Sequence, residues 1–442
     1  MSEISSVPVV DVTEENVASI WPSLILAVKT SLYVAIDLEL SGIGGRKEIN
    51  AKSVEDRYSA VSRVADTRAI ISIGLSCFRH DSRSSVTGSL KFTVQTFNIL
   101  VLCKENYIVE PSSLQFLISH GFDFNRQYSL GVPYYRGNDR PNEVNEDGGV
   151  SLRTLFLQLL LWRKPIVLHN GLLDLAFLYH SFYLALPAKL PSFLADLTEM
   201  FPSGVYDTKY ISETRAALQA SYLEYVFRKR QRDNASREAE GKSFVSIQFL
   251  QYNKEHSVDH GNCALRTERL DVQLEICKNF ARFGWCAKGD QCRGSHSVDD
   301  VLDAENAKRR KRKRGKKNGA TISGNASSDS EASTKETPCD VTTVDENGAA
   351  VTSADRRYTT GLHRAGYDAF MTGYAFATFL LEYAKCRPGP SGNLDADDAG
   401  LEGLVNRVYL TGKVDPLQIR VGNFARHSAK HVEKYNALFG NK

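Results

Sequence analysis

Between Cys286 and Arg357 the chain contains no Phe, Tyr or Trp, and the stretch 318–355 (NGATISGNASSDSEASTKETPCDVTTVDENGAAVTSAD) is rich in Ser, Thr, Asp, Glu and Ala. Such a segment cannot bury enough apolar surface to offset the entropy lost on ordering it. It reads as a disordered linker. Any large core must therefore be assembled from the residues before this gap together with those after it. The apolar run YTTGLHRAGYDAFMTGYAFATFLLEYA that follows is strongly helical and needs a partner core.

The first half carries that core. Three runs rich in β-branched and aromatic residues, 31–40, 69–78 and 89–100, read as strands, and the polar RHDSRSSVTG between the second and third suggests an antiparallel meander. Residues 150–162 look helical and stop before Pro165, the short strand PIVLHN follows, and 171–184 and 213–230 are further helices. Strands first and then alternating helix and strand predict an α/β domain with a mixed sheet. No internal repeat is visible.

In the first strand, VAIDLEL, Asp37 and Glu39 share one face while Ile36, Leu38 and Leu40 share the other. One reading is an edge strand with a solvated face. The other is a cation site, because further carboxylates stand in comparable settings. Asp174 follows the strand PIVL at the start of a helix, and Asp368 lies five positions after His363. Alone, Asp174 reads as a first-turn acid favoured by the helix dipole, and so does Asp368. Asp207 in VYDTKY is a rival for a place among these acids but reads better as a helix N-cap, and His169 as a structural histidine.

Taken together, the stretches DLELSG, HNGLLD and HRAGYD resemble the three successive motifs of the DEDD superfamily of 3′ exonucleases, and the His-x4-Asp spacing of the last resembles its histidine subgroup. LHNGLLDLAFLY and FPSGVYDTKY look like the deadenylase branch that includes poly(A)-specific ribonuclease, and within it a nuclear branch carrying an inserted finger and basic run. The resemblance implies an RNase H-like fold: a mixed sheet flanked by helices, interrupted by the finger and the linker. It also implies two Mg²⁺ (or Mn²⁺) ions on Asp37, Glu39, Asp174 and Asp368, with His363 as general base. The substrate it implies is RNA with a 3′ oligoadenylate tail, small nuclear RNA in that branch. Hard divalent cations take carboxylate oxygens, and a histidine near neutrality suits proton removal from water.

The second constellation is ICKNFARFGWCAKGDQCRGSH. Cys277, Cys286, Cys292 and His296 have the spacing C-x8-C-x5-C-x3-H, which suits one structural Zn²⁺ in a closed tetrahedral site. It resembles the CCCH finger family. Phe280, Phe283 and Trp285 stand between the first ligands, where they either stack RNA bases or form the finger's small core. Cys77, Cys103, Cys263, Cys339 and Cys386 are scattered while the other three cysteines cluster near His296, a usage that fits metal binding in a reducing compartment better than a disulfide framework.

The net charge of +3 is segregated: the run from Lys308 to Lys317 (KRRKRKRGKK) holds nine Lys or Arg, leaving about −6 for the remainder. The run reads as a nuclear localisation signal engaging an import receptor, or as a nucleic-acid patch. The N-terminus lacks a basic start and an apolar core, so no secretory signal is expected, and no run approaches membrane-spanning length. The expected location is the nucleus, with Cajal bodies or the nucleolus as sites within it.

The expected organisation is an exonuclease domain split into 1–230 and 356–442, with a finger at 268–299 and a basic run and linker at 300–355. The competing function is a non-catalytic RNA-binding or transcription-associated adaptor that uses only the finger. Four acids and a histidine kept in apolar surroundings argue against it.

Overall fold

The computed structural model describes residues 4–81, 88–137, 149–252, 256–266, 275–318, 364–386 and 394–440. The three expected strands are there: β2 (Tyr33–Leu40), β3 (Ile70–His80) and β4 (Leu90–Cys103), with β1 (Ser6–Val12) preceding them. β2, β3 and β4 pair antiparallel, as the meander requires. β5 (Val132–Tyr134), β6 (Ile166–Leu168), β7 (Val205–Asp207), β8 (Val245–Phe249), β9 (Val258–Asn262), β10 (Arg407–Val408) and β11 (Leu417–Gln418) complete a mixed sheet. Its order is β11-β10-β7-β6-β2-β3-β4-β1-β9, with β5 and β8 also paired to β4. β6, β7 and β10 add in parallel beside β2, whereas β4 is long enough to pair with β8 at one end, β1 in the middle and β5 at the other end.

Strand alternation sends the side chains of β2 into two separate cores. Val34, Ile36, Leu38 and Leu40 enter one with helices Val17–Thr30, Val54–Thr67, Leu152–Leu161, Leu172–Phe182 and Leu190–Met200. Tyr33 and Ala35 enter the other, under helix Ala365–Tyr383 and helix Leu223–Ala239. Asp37 and Glu39 continue that second face and are half-buried. Helix Ala365–Tyr383 is buried on all sides from Ala365 to Leu381, because the sheet lies below it and the 223–239 helix above. Each of its fully buried aromatics, Phe370 and Phe376 among them, stabilises the packing by about 1.5–3 kcal/mol.

The sequence reading needs three corrections. The single helix expected at 213–230 is two, Thr208–Thr214 and Leu223–Ala239, separated at Ala217 by a left-handed turn (φ 47°). Tertiary bonding overrides propensity there: the freed Ser221 carbonyl takes His169 and Lys209, and its hydroxyl reaches Glu213. Residue 230 falls inside the second helix, and β8 and β9 carry the sheet on to Asn262. Their polar sequences, VSIQF and VDHGN, hide them. The start of the expected linker, from residue 300, is instead part of helix Val298–Asn318, along which the basic run lies. The remainder of the linker, with His363, lies outside the described residues.

Among the described residues no helix is long and apolar enough to cross a membrane.

Candidate active site

Helix Ala365–Tyr383 is set on the sheet by two glycines. Gly74 stands opposite Asp37 in β3, and a Cβ there would lie 1.8 Å from the Ala365 carbonyl oxygen. Gly366 passes so close to β4 and β1 that its own Cβ would meet Asn98 at 2.9 Å and Val9 at 2.8 Å, and its amide donates to Asn98 Oδ1 at 3.2 Å. Farther along, the Tyr33 hydroxyl donates to the Gly373 carbonyl at 2.8 Å. The entry to the helix is fixed by Arg364, whose guanidinium bonds both Asp11 and Asp259. Backbone thus touches backbone at the helix's first turn, where Asp368 sits.

Carboxylate oxygens of Asp37, Glu39 and Asp368 accordingly converge within 4.8 Å of one another, although the chain separates them by more than three hundred residues. Asp368 is buried, and Asp37 and Glu39 are half-buried. Burial raises the Asp37 carboxyl well above its usual range, and Asp368, Glu39 and Asp174 push it further the same way. Like charges held this close disfavour ionisation unless a cation joins them.

Asp174 lies outside that group of three but approaches Asp37 from the other edge of β2, close enough for its charge to act on it. β6 pairs with β2 at Val34 and Ala35, ends at Leu168, and leaves the Leu38 amide to be met by the Asp174 carboxylate in the first turn of helix Leu172–Phe182. Burial raises the Asp174 carboxyl to about 7; the Asp207 charge adds to this, while its own amide and that of Leu38 oppose it. The donor set suits hard divalent cations: four carboxylates from three segments, on a rigid strand and two helix first turns. Asp37, Glu39, Asp174 and Asp368 could hold them.

Asp207 is the expected N-cap, accepting the Lys209 and Tyr210 amides, and it also takes those of Asn170, Gly171 and Tyr409. Those bonds brace the turn between β6 and the Asp174 helix. His169 is structural too, its Nε2 2.9 Å from the Ser221 carbonyl and its Nδ1 2.9 Å from the Thr208 hydroxyl. Sequence reasoning missed Gly74, Gly366, Asn98 and the Arg364–Asp11–Asp259 cluster. No local pattern marks them, since each acts through a partner distant in the chain.

The second constellation also assembles. One ligand atom each from Cys277, Cys286, Cys292 and His296 lies within 4.8 Å of the others, and His296 Nε2 is buried there with no hydrogen-bond partner. Burial opposes ionisation of Cys277, but the Phe280 amide and then Cys286, His296 and Cys292 outweigh it and lower its thiol to about 6. Three thiols, an orphaned imidazole nitrogen and closed geometry fit Zn²⁺. Phe280 stacks on the His296 ring, 5.1 Å between centroids, and meets Tyr222 at 5.9 Å, whereas Phe283 and Trp285 are half exposed. Helix Val298–Asn318 pins this unit to the 223–239 helix through Arg232 with Asp299 and Asp303, both at 2.7 Å, and through the Tyr225 hydroxyl on Glu305 at 2.9 Å.

The family model described as CAF1 family ribonuclease matches residues 12–149 and 140–376. The chain belongs to the CAF1 family of ribonucleases. Poly(A)-specific ribonuclease PARN of Danio rerio is 27% identical over 137 residues, covering 28% of this chain and 20% of that protein, so the match spans about a fifth of the relative's length. The pre-piRNA 3′-exonuclease trimmer of Bombyx mori is 20% identical over 382 residues, 63% of this chain and 69% of the relative. Among solved structures, the Mg²⁺- and Mn²⁺-bound form of Pop2p from S. pombe aligns with a TM-score of 0.39 at 18% identity, covering 51% of this chain and 82% of that one. The CAF1-family match bridges the aromatic-free gap and includes Asp37, Glu39, Asp174, His363 and Asp368 within its bounds.

Proposed function

We propose that the chain is a divalent-metal-dependent 3′-to-5′ exoribonuclease that trims adenosines from the 3′ ends of RNA. The observation that carries this reading is the convergence of Asp37, Glu39 and Asp368, with Asp174 on the strand amide between the first two. Asp37, Glu39, Asp174 and Asp368 are the proposed ligands of two Mg²⁺ or Mn²⁺ ions. Bound there, such ions supply an activated water and a stabilised leaving oxygen for phosphodiester hydrolysis. His363, five positions before Asp368, takes the proton of the attacking water. Glu39, half-buried at the rim, also faces the terminal nucleotide.

The Cys277, Cys286, Cys292 and His296 unit is a zinc finger in this reading, with Phe283 and Trp285 as its base-stacking surface and Phe280 committed to its core. The basic run from Lys308 to Lys317 engages a nuclear import receptor, and tails of small nuclear RNA are the nuclear substrate. Neutralising the run should move the protein out of the nucleus without altering cleavage of short oligomers. Unchanged nuclear enrichment would remove that role.

The decisive assay is Mg²⁺-dependent shortening of oligonucleotides carrying each of the four homopolymer tails at the 3′ end. Stepwise loss of adenosines, abolished by Asp37→Ala or Asp368→Ala while RNA binding persists, is the expected outcome. RNA binding through the finger with no shortening under any divalent ion would replace this reading with the adaptor.

A further inference from the structure

Helix Ala429–Phe439 has His431 as its one buried residue among those described, so little apolar surface holds it to the body of the protein. What it contacts is a second group of ligand-type side chains, far in sequence from the carboxylates above. Asp196 and Glu199 come from helix Leu190–Met200, and His427 and His431 from the start of the C-terminal helix. One ligand atom each from Asp196, His427 and His431 lies within 4.8 Å of the others.

Glu199, outside that group of three, reaches toward both imidazoles. His427 Nδ1 is 3.4 Å from Asp196 Oδ1 and 3.8 Å from Glu199 Oε2, and His431 Nε2 is 2.9 Å from Glu199 Oε2. Ligand atoms about 2.0 Å from a tetrahedral Zn²⁺ stand about 3.3 Å apart, in the middle of that range. Partners behind the four groups hold them in place. Asp196 Oδ1 accepts the Ser428 amide, and its Oδ2 accepts the hydroxyls of Tyr179 and Ser428. His431 Nδ1 is 3.0 Å from the Tyr183 hydroxyl, which fixes the ring and leaves Nε2 facing inward.

Hydrogen bonding alone accounts for His431, both of whose nitrogens are partnered. It does not account for His427 Nδ1, which is buried, aimed between two carboxylates and without a hydrogen bond. Two carboxylates gathered against two imidazoles in a half-buried place form a donor set that one divalent cation joins. Two imidazoles with two carboxylates in a tetrahedral set suit Zn²⁺ rather than Mg²⁺ or Ca²⁺.

We propose that Asp196, Glu199, His427 and His431 form a second, structural Zn²⁺ site that clips the C-terminal helix onto helix Leu190–Met200. The site is independent of the exonuclease reading and of the finger.

The test uses the full chain with Cys286→Ser and Cys292→Ser, which removes the finger's zinc, dialysed against Zn²⁺ in excess Mg²⁺ and then washed. Metal analysis should find one equivalent of zinc, and adding His427→Asn, a partly exposed position, should abolish it. Hydrogen exchange at amides 429–439 should slow at least tenfold on zinc addition in the first protein and not in the second. Zinc content unaffected by His427→Asn, or exchange in the helix unaffected by zinc, would overturn the proposal. Should His427→Asn unfold the chain, Glu199→Gln at the half-exposed edge, which leaves the hydrogen bonds of buried Asp196 in place, should abolish zinc uptake instead.

Discussion

Asp174 has two tasks that substitution can separate. Its carboxylate receives the Leu38 amide and also faces the Asp37 group. Asn retains an acceptor for that amide, whereas Ala leaves a buried donor unsatisfied, at about 1–3 kcal/mol. Both Asp174→Asn and Asp174→Ala should lose RNA cleavage by orders of magnitude, but only the alanine variant should show a markedly lower midpoint in urea unfolding. Equal midpoints would mean the carboxylate does not support the strand. His169 gives the pH counterpart. Burial, with help from the Lys209 charge, lowers its imidazole to about 3, although the Ser221 carbonyl pulls the other way. The unfolded chain then binds a proton below about pH 6.5 that the folded one refuses, so stability is lost as pH falls from there toward 3. His169→Gln should lower stability at pH 7.5 and flatten its dependence between pH 6 and 4, measured as urea midpoints at stepped pH. At this scale Asp37 and Glu39 stood out in the sequence, because charges on alternate positions of an apolar strand conflict with their surroundings. Asp174 and Asp368 read alone as first-turn acids and joined them only through the family resemblance. Gly74 was not legible, since what forbids its side chain is a carbonyl on a helix nearly three hundred residues later.

Helix Ala365–Tyr383 turns backbone proximity into site geometry. A side chain at Gly74 must displace the Ala365 carbonyl, and so the turn that carries Asp368. A side chain at Gly373 meets the Phe78 ring, at 2.1 Å, about one and a half turns along the helix from Asp368. Both Gly74→Ala and Gly373→Ala should destabilise by about 1–3 kcal/mol through overpacking. Only the first should also reduce cleavage by the remaining folded protein, by a hundredfold or more, with a raised Mg²⁺ requirement. Chemical unfolding paired with activity at saturating Mg²⁺ separates the two, and equal activity losses would disconnect the glycine from the site. The helix itself was readable from its unbroken apolar character, as were β2 to β4 from their β-branched runs. β8, β9, β10 and β11 were not, because short polar strands take their conformation from the neighbour they pair with rather than from their own composition. The grouping of Cys277, Cys286, Cys292 and His296 was evident from spacing, but the docking of that unit through Arg232 and Tyr225 depends on partners that spacing does not encode.

The nuclease fold is completed only by the last part of the chain. β8 and β9 belong to the sheet, so a continuous body must keep residues to about 266 and resume near 357. Loop closure costs grow only logarithmically with length, and an insertion there is tolerated. A chain lacking 267–356, joined by a short Gly/Ser linker, should retain Mg²⁺-dependent trimming of oligoadenylate. One joined from 230 to 356 should fail to fold, having lost half of helix Leu223–Ala239 and two strands, and one ending at 318 should be inactive for want of Asp368 and His363. Circular dichroism and the oligoadenylate assay distinguish the three, and trimming by the chain ending at 318 would remove Asp368 and His363 from the reaction.

The burial of helix Ala365–Tyr383 also bears on how the protein is made. β2, β3 and β4 leave the ribosome long before the helix that covers Tyr33, Phe78 and Phe92 has been translated. At about 5–20 residues per second, the intervening chain takes on the order of tens of seconds to synthesise. During that interval an aromatic sheet face stands open to water. For the same reason the carboxylate cluster stays incomplete in a young nascent chain: Asp368 follows Glu39 by 329 residues.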